Sequence, residues 1–114
     1  MPAPTATIIE QHPSVVVARV RADRLDETNL TAVRSEVSAA GQASPHLPVA
    51  LDLCNVAFVP SLSLGGLVQL VQIFKARGQR LVLANLQPPV RQTITITRLD
   101  RLFEIHDDLS SLLG

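Results

Sequence analysis

The chain has no Trp and no Tyr, and only three Phe among its 114 residues. A core must therefore come from Val, Leu, Ile and Ala, which favours alternating strands and helices over an aromatic ligand pocket. The same scarcity removes the stacking platforms on which single-stranded nucleic acid lies. Charge of one sign is missing as well, since ten basic and ten acidic residues cancel to a formal net charge of zero. No long-range field draws in nucleic acid, and no basic run follows a phosphate backbone. With a single cysteine, Cys54, no intrachain disulfide forms, which suits a reducing compartment. No run of roughly 20 apolar residues is present to span a membrane as a helix. Met1 to His12 lacks the basic and apolar regions of a signal peptide. The expectation is a cytoplasmic, soluble protein with no nucleic-acid partner and no direct membrane insertion.

Catalytic patterns are absent too. His12, His46 and His106 are far apart in sequence, form no H-x-x-x-H pair, and one cysteine cannot complete a Cys-rich zinc site. Gly65-Gly66 lies inside an apolar helical pattern and lacks the G-x-x-x-x-G-K of a phosphate loop. No enzymatic activity, cofactor or metal is expected. Cys54 reads as an inert buried thiol, and Asp52 as a structural hydrogen-bonding group at a strand end.

What is present is a regular alternation on a chain of single-domain length. Pro2 and Pro4 mark a loose leader over residues 1–5, and residues 6–114 read as one domain. A strand from Ala6 and a β-branched strand over Val15 to Val20 flank the turn His12-Pro13-Ser14. Asp26 to Asn29 carries helix-start chemistry, Leu30, Val33, Val37 and Ala40 share a helical face, and Gly41 reads as the stop. Val49 to Leu53 is a nearly continuous apolar strand. Pro60-Ser61 opens the longest helix, with Ser61 as its cap, and Gly78 ends it. Arg80 to Leu86 is the next strand. Pro88-Pro89 tips the ambiguous Thr93 to Thr97 (TITIT) towards helix. A short extended segment, Leu102 to Ile105, and a terminal helix complete the series. This is an α/β fold, with a four- to five-stranded mixed sheet flanked by about four helices.

Residues 49 to 86, VALDLCNVAFVPSLSLGGLVQLVQIFKARGQRLVLANL, carry a specific likeness. An apolar strand with an Asp is followed by V-x-F-[IV], a helix, a K-x-R-G turn and an R-L-x-L-x-N strand. This region resembles the STAS domains of anti-sigma factor antagonists. Arg24-Leu25-Asp26 is similar to the family's G-x-L-D segment, with Asp23 in place of the glycine. Leu99 to Ile105 is similar to its L-x-x-[LI]-F-x-I ending. At the family's regulatory centre, F-[IV]-D-S-S-[GA]-L-G, this chain has Phe58-Val59-Pro60-Ser61-Leu62-Ser63-Leu64-Gly65. Leu62 stands where the family carries its phosphoserine, and Pro60 where it has aspartate.

The resemblance implies a protein-binding module whose partner is an anti-sigma factor or kinase-like protein, regulating transcription by partner switching. Leucine has no hydroxyl, so control by phosphate at position 62 is lost, leaving Ser61 and Ser63 as candidate phosphorylation positions. The expected partner-binding residues are Asp26, Pro60, Ser61, Leu62, Ser63, Gly66 and Ile73. Leu62, Gly66 and Ile73 share one margin of the long helix, which either meets a partner or is covered by the first helix or a terminal segment. The alternative is an accessory or scaffold subunit of a signalling complex or a membrane-transport ATPase. Nucleotide sensing near Pro60 to Leu64 is a third reading, without a cationic cluster in the sequence to support it.

Overall fold

A computed structural model describes residues 6–113, so the leader expected over residues 1–5 lies outside the described residues. The strands are β1 (Thr7–Gln11), β2 (Val16–Val20), β3 (Val49–Asp52), β4 (Leu81–Ala84) and β5 (Glu104–His106). They form one sheet in the order β1-β2-β3-β4-β5. β1 and β2 make the expected antiparallel hairpin, and the remaining pairs are parallel. The helices are α1 (Leu30–Ala43), α2 (Ser61–Ala76), α3 (Pro88–Ile96) and the single turn α4 (Ser110–Leu113), with a 3₁₀ turn at Leu99–Arg101. The mixed five-stranded sheet with four helices is the architecture the sequence implies.

Strand pleating divides the core in two. Val16, Ala18, Val20, Val49, Leu51, Leu81 and Leu83 face α1, α2 and α3, and meet Val33, Val37, Leu67, Leu70, Phe74, Val90 and Ile94. The alternate residues Val15, Val17, Ala50 and Val82 pack on the other face beneath Leu112 and Leu109. Every residue of β3 and β4 is buried, as parallel strands covered on both faces require. Each fully buried Val or Leu contributes about 1.5–3 kcal/mol, so this double layer is mainly aliphatic, with Phe74 and Phe103 its aromatic members.

Several sequence expectations are corrected. Gly41 does not stop α1, which continues to Ala43. Its role is contact, because a Cβ there would come within 2.8 Å of the Phe74 ring and 2.9 Å of Arg77 Nη2. The first helix begins at Leu30 with Asn29 as its N-cap, in keeping with the helix-start chemistry of Asp26–Asn29, although no side chain bonds to the helix end. Ser61 is not a cap: Pro60, in extended conformation, is the N-cap of α2 and no side chain bonds to the helix end. Gly78 does end α2, in the left-handed region at φ 68°. TITIT is helical, with Pro at the first positions of α3 and Thr93 Oγ1 bonded back to the Pro89 carbonyl at 2.9 Å.

Candidate functional site

Two loops meet at the N-terminal end of α2. One runs from Asp23 to Asn29 before α1, and the other from Leu53 to Pro60 before α2. Backbone bonds join them: Ala57 N–H donates to the Asp23 carbonyl at 2.7 Å and Leu25 N–H to the Phe58 carbonyl at 3.0 Å. A parallel bridge pairs Arg24 with Phe58. Fully buried Leu25 and Val59 anchor both loops in the core.

This clamp shapes a cleft of about 190 Å³ lined by Arg24, Asp26, Glu27, Pro60, Leu62 and Ser63. Leu62 is 94% exposed, the most exposed of the large apolar side chains among the described residues. Phe58 is 46% exposed, with the Arg24 guanidinium 4.9 Å from its ring centroid. Arg24 Nε also donates to Asp26 Oδ2 at 3.3 Å. Asp26 Oδ1 accepts from the Thr28 hydroxyl at 2.6 Å and the Thr28 N–H at 3.0 Å. The Thr28 bonds, with help from Arg24, hold the Asp26 carboxyl below the ordinary carboxylate range. The site is thus an exposed apolar knob beside a fixed carboxylate and a stacked guanidinium.

Of the residues singled out by sequence, Asp26, Pro60, Leu62 and Ser63 line this one cleft, with Ser61 exposed beside them. Ser63 faces inward and is only 4% exposed, so its hydroxyl is not offered to a modifying enzyme in this conformation. Gly66 is buried, and a Cβ on it would lie 2.4 Å from Leu30 Cδ2; α1 covers that part of the margin. Ile73 is 40% exposed but lies about three turns along α2 from Leu62, outside the cleft. Sequence reasoning missed Arg24, Glu27 and Phe58. The available signal was Phe58 itself, a large aromatic placed just before a proline-capped helix.

Asp52 sits at the end of β3 and accepts from Arg19 Nε at 3.0 Å, Asn85 Nδ2 at 3.1 Å and the Cys54 N–H at 3.0 Å. Burial pushes its carboxyl up, but the bonds from Asn85, Cys54 and Arg19 outweigh this and hold it below the usual range. It ties β2, β3 and the end of β4 together, the structural role expected of it. Cys54 is exposed, contrary to the expected burial. Desolvation of the thiol and the neighbouring Asp52 raise its pKa, which lowers the thiolate fraction. Among the described residues, no three His, Cys, Asp or Glu converge where a metal ion would be held. None of the described helices is long and apolar enough to cross a membrane.

Comparison with known proteins adds context to this geometry. Residues 6–112 match the family described as the STAS domain. The chain is 24% identical over 100 residues to the anti-sigma F factor antagonist of Paenibacillus polymyxa, covering 88% of this chain and 85% of the relative. It is 25% identical to an anti-sigma factor antagonist from Mycobacterium paratuberculosis, with a TM-score of 0.79 and coverage of 94% and 89% of the two chains. The fold also recurs in the murine solute carrier 26 family member A9 anion transporter. That match has 16% identity and a TM-score of 0.75, covering 91% of this chain and 18% of the transporter.

Proposed function

Because the chain belongs to the STAS domain family, we propose that it is a protein-binding regulator of the anti-sigma factor antagonist type, acting through the cleft at the start of α2. Its partner is an anti-sigma factor or a related kinase-like protein, and the consequence of binding is regulation of transcription. The observation that carries this reading is the 94% exposure of Leu62 at the head of α2, beside Asp26 and Phe58. An isolated, exposed leucine flanked by a stacked Arg24 and an ionised carboxylate has the make-up of an interface anchor with a polar rim.

The leucine also sets the regulation. A phosphate adds about −1.5 to −2 charge and disrupts an apolar interface, but position 62 has no oxygen to receive it. Binding is therefore constitutive, or is controlled through Ser61, whose side chain is exposed on the first turn of α2. No catalytic role is proposed: the cleft holds neither an activated nucleophile nor a paired acid and base.

A second reading, an accessory or scaffold subunit of a signalling complex or transport ATPase, draws support from the recurrence of this fold inside an anion transporter. Purification of the tagged chain from its native cell, with mass spectrometry of partners and phosphosites, separates the two. A kinase-like anti-sigma factor that Leu62→Glu releases supports the first reading, and a transport ATPase supports the second. A partner that survives substitution of the whole cleft sinks both.

A further inference from the structure

The cleft at the head of α2 leaves the other end of the helix unused. There, between the last turns of α2 and the starts of β4 and β5, lies a second concavity of about 180 Å³. Val71, Leu81 and Leu102 supply its apolar wall, and Lys75 and Arg80 its cations. Leu62 and Lys75 are roughly 20 Å apart along α2 at about 1.5 Å per residue, so the two sites do not overlap.

Three observations suggest what fits it. The first is local charge. Arg98 and Arg101 are exposed on the turn leading into Leu102, and Lys75 is exposed across the cleft. None of these three has an ion-pair partner among the described residues. Arg80 is bound to Glu104, so the local carboxylates are one engaged Glu104 and the exposed Asp100. The second is apolar exposure on the same side. Leu102, in the wall of the cleft, is 48% exposed.

The third is Gln79, which lines the cleft and is 6% exposed. Its Nε2 faces the carbonyls of Gly41, Ser44 and Leu47 at 2.9, 3.0 and 2.9 Å, which fixes the amide orientation. Its Oε1 is the one buried side-chain acceptor without a donor among the described residues. That oxygen lies beneath the cleft surface, so what Gln79 offers a ligand is a wall fixed by its Nε2 bonds.

We infer that this cleft is a second docking site, for an acidic peptide segment of a partner protein that inserts one apolar side chain between Val71, Leu81 and Leu102. Carboxylates on the segment meet Lys75, Arg98 and Arg101, and its apolar side chain rests against the wall that Gln79 holds in place. A lipid surface fits less well, because the apolar contact is a concave slot of side-chain size rather than a protruding wedge. The inference does not depend on the function proposed for the first cleft.

The test is a titration of the ¹⁵N-labelled full chain with a short Glu-rich peptide carrying one leucine, read by amide chemical shifts. Saturable shifts are expected at Val71, Lys75, Gln79 and Leu102, with Leu62 unmoved. The double variant Lys75→Glu, Arg101→Glu weakens binding about tenfold, and added salt weakens it further. Both side chains are exposed and unpaired, so the variant keeps its melting temperature; if it does not, Lys75→Gln with Arg101→Gln takes its place. The inference is overturned by an absence of shifts, by shifts confined to the Leu62 end, or by charge variants that bind as well as the parent. Binding of phosphatidylserine vesicles without binding of the peptide overturns it too, and assigns the face to lipid.

Discussion

Gly66 lies against Leu30 so closely that a methyl group on it would sit 2.4 Å from Leu30 Cδ2 and 3.0 Å from Leu30 Cγ. The first turn of α1 therefore packs directly on the backbone of α2, one turn below Leu62. The angle between the two loops of the cleft is set by that approach. Gly65, its neighbour, faces open space with no atom within 4 Å of a built Cβ.

Adjacent glycines thus answer oppositely to alanine. Gly65→Ala gains helix propensity, raising stability by up to about 1 kcal/mol. Gly66→Ala makes the same gain but forces Leu30 aside at a cost of about 1–3 kcal/mol, for a net loss. Urea unfolding of the two variants checks the contrast, and Leu30→Ala in the Gly66→Ala background recovers part of the loss.

Leu62→Glu weakens partner binding at least about tenfold, because it places a charge in the centre of an apolar contact. Leu62→Ser loses less affinity and creates a hydroxyl at the family's phosphoacceptor position. Calorimetry with the purified partner and a kinase assay on Leu62→Ser check both effects. Equal affinity for Leu62→Glu and the parent would remove Leu62 from the interface.

Asp52→Ala strands the Arg19 guanidinium, the Asn85 amide and the Cys54 N–H, and is expected to cost about 3 kcal/mol. The ordinary Asp52 carboxyl pKa is lowered in the fold. Its stabilisation is therefore complete above the unfolded pKa and is lost as pH falls through the folded value. Acid titration of the parent and Asp52→Asn, followed by circular dichroism, shows the parent losing its advantage on acidification.

Glu104 gives a second acid-sensitive contribution at the sheet edge. Hydrogen bonds from Arg80, joined by His106 Nε2 at 2.8 Å, outweigh partial burial and hold its pKa at about 2, against an ordinary value of 4.5. Its contribution is present above 4.5 and disappears as pH falls towards 2. Glu104→Gln flattens the stability curve over that interval, with a small effect at neutral pH because the pair is half exposed.

Cys54 is expected to react slowly with a disulfide reagent at neutral pH despite its exposure, since its thiol pKa is raised. A rate above that of free cysteine would contradict this.

Legibility in the sequence followed the physics of each position. β3 and β4 were readable because burial on both faces leaves an almost unbroken aliphatic run. α3 was readable because Pro88 and Pro89 set the backbone that the alternating TITIT leaves undecided. Ser63 was legible in principle: it is on the face that continues through Leu67, Leu70 and Phe74, all buried. Its hydroxyl suggested exposure, and periodicity overruled that. Gly41 and Gly66 were opaque, since contact with Phe74 and Leu30 depends on how α1 crosses α2, which no local pattern encodes. Arg24 and Phe58 came together through a bridge between segments more than thirty residues apart, so pairing them required the fold.

The strand order has a consequence for how the chain reaches its native state. β1 to β5 are laid side by side in the order of synthesis. A nascent chain emerging N-terminus first therefore adds each strand to an edge already present, and no late strand must be inserted between two formed ones. Assembly can proceed by growth at one border, with the hairpin as its seed and β5 as the closing piece.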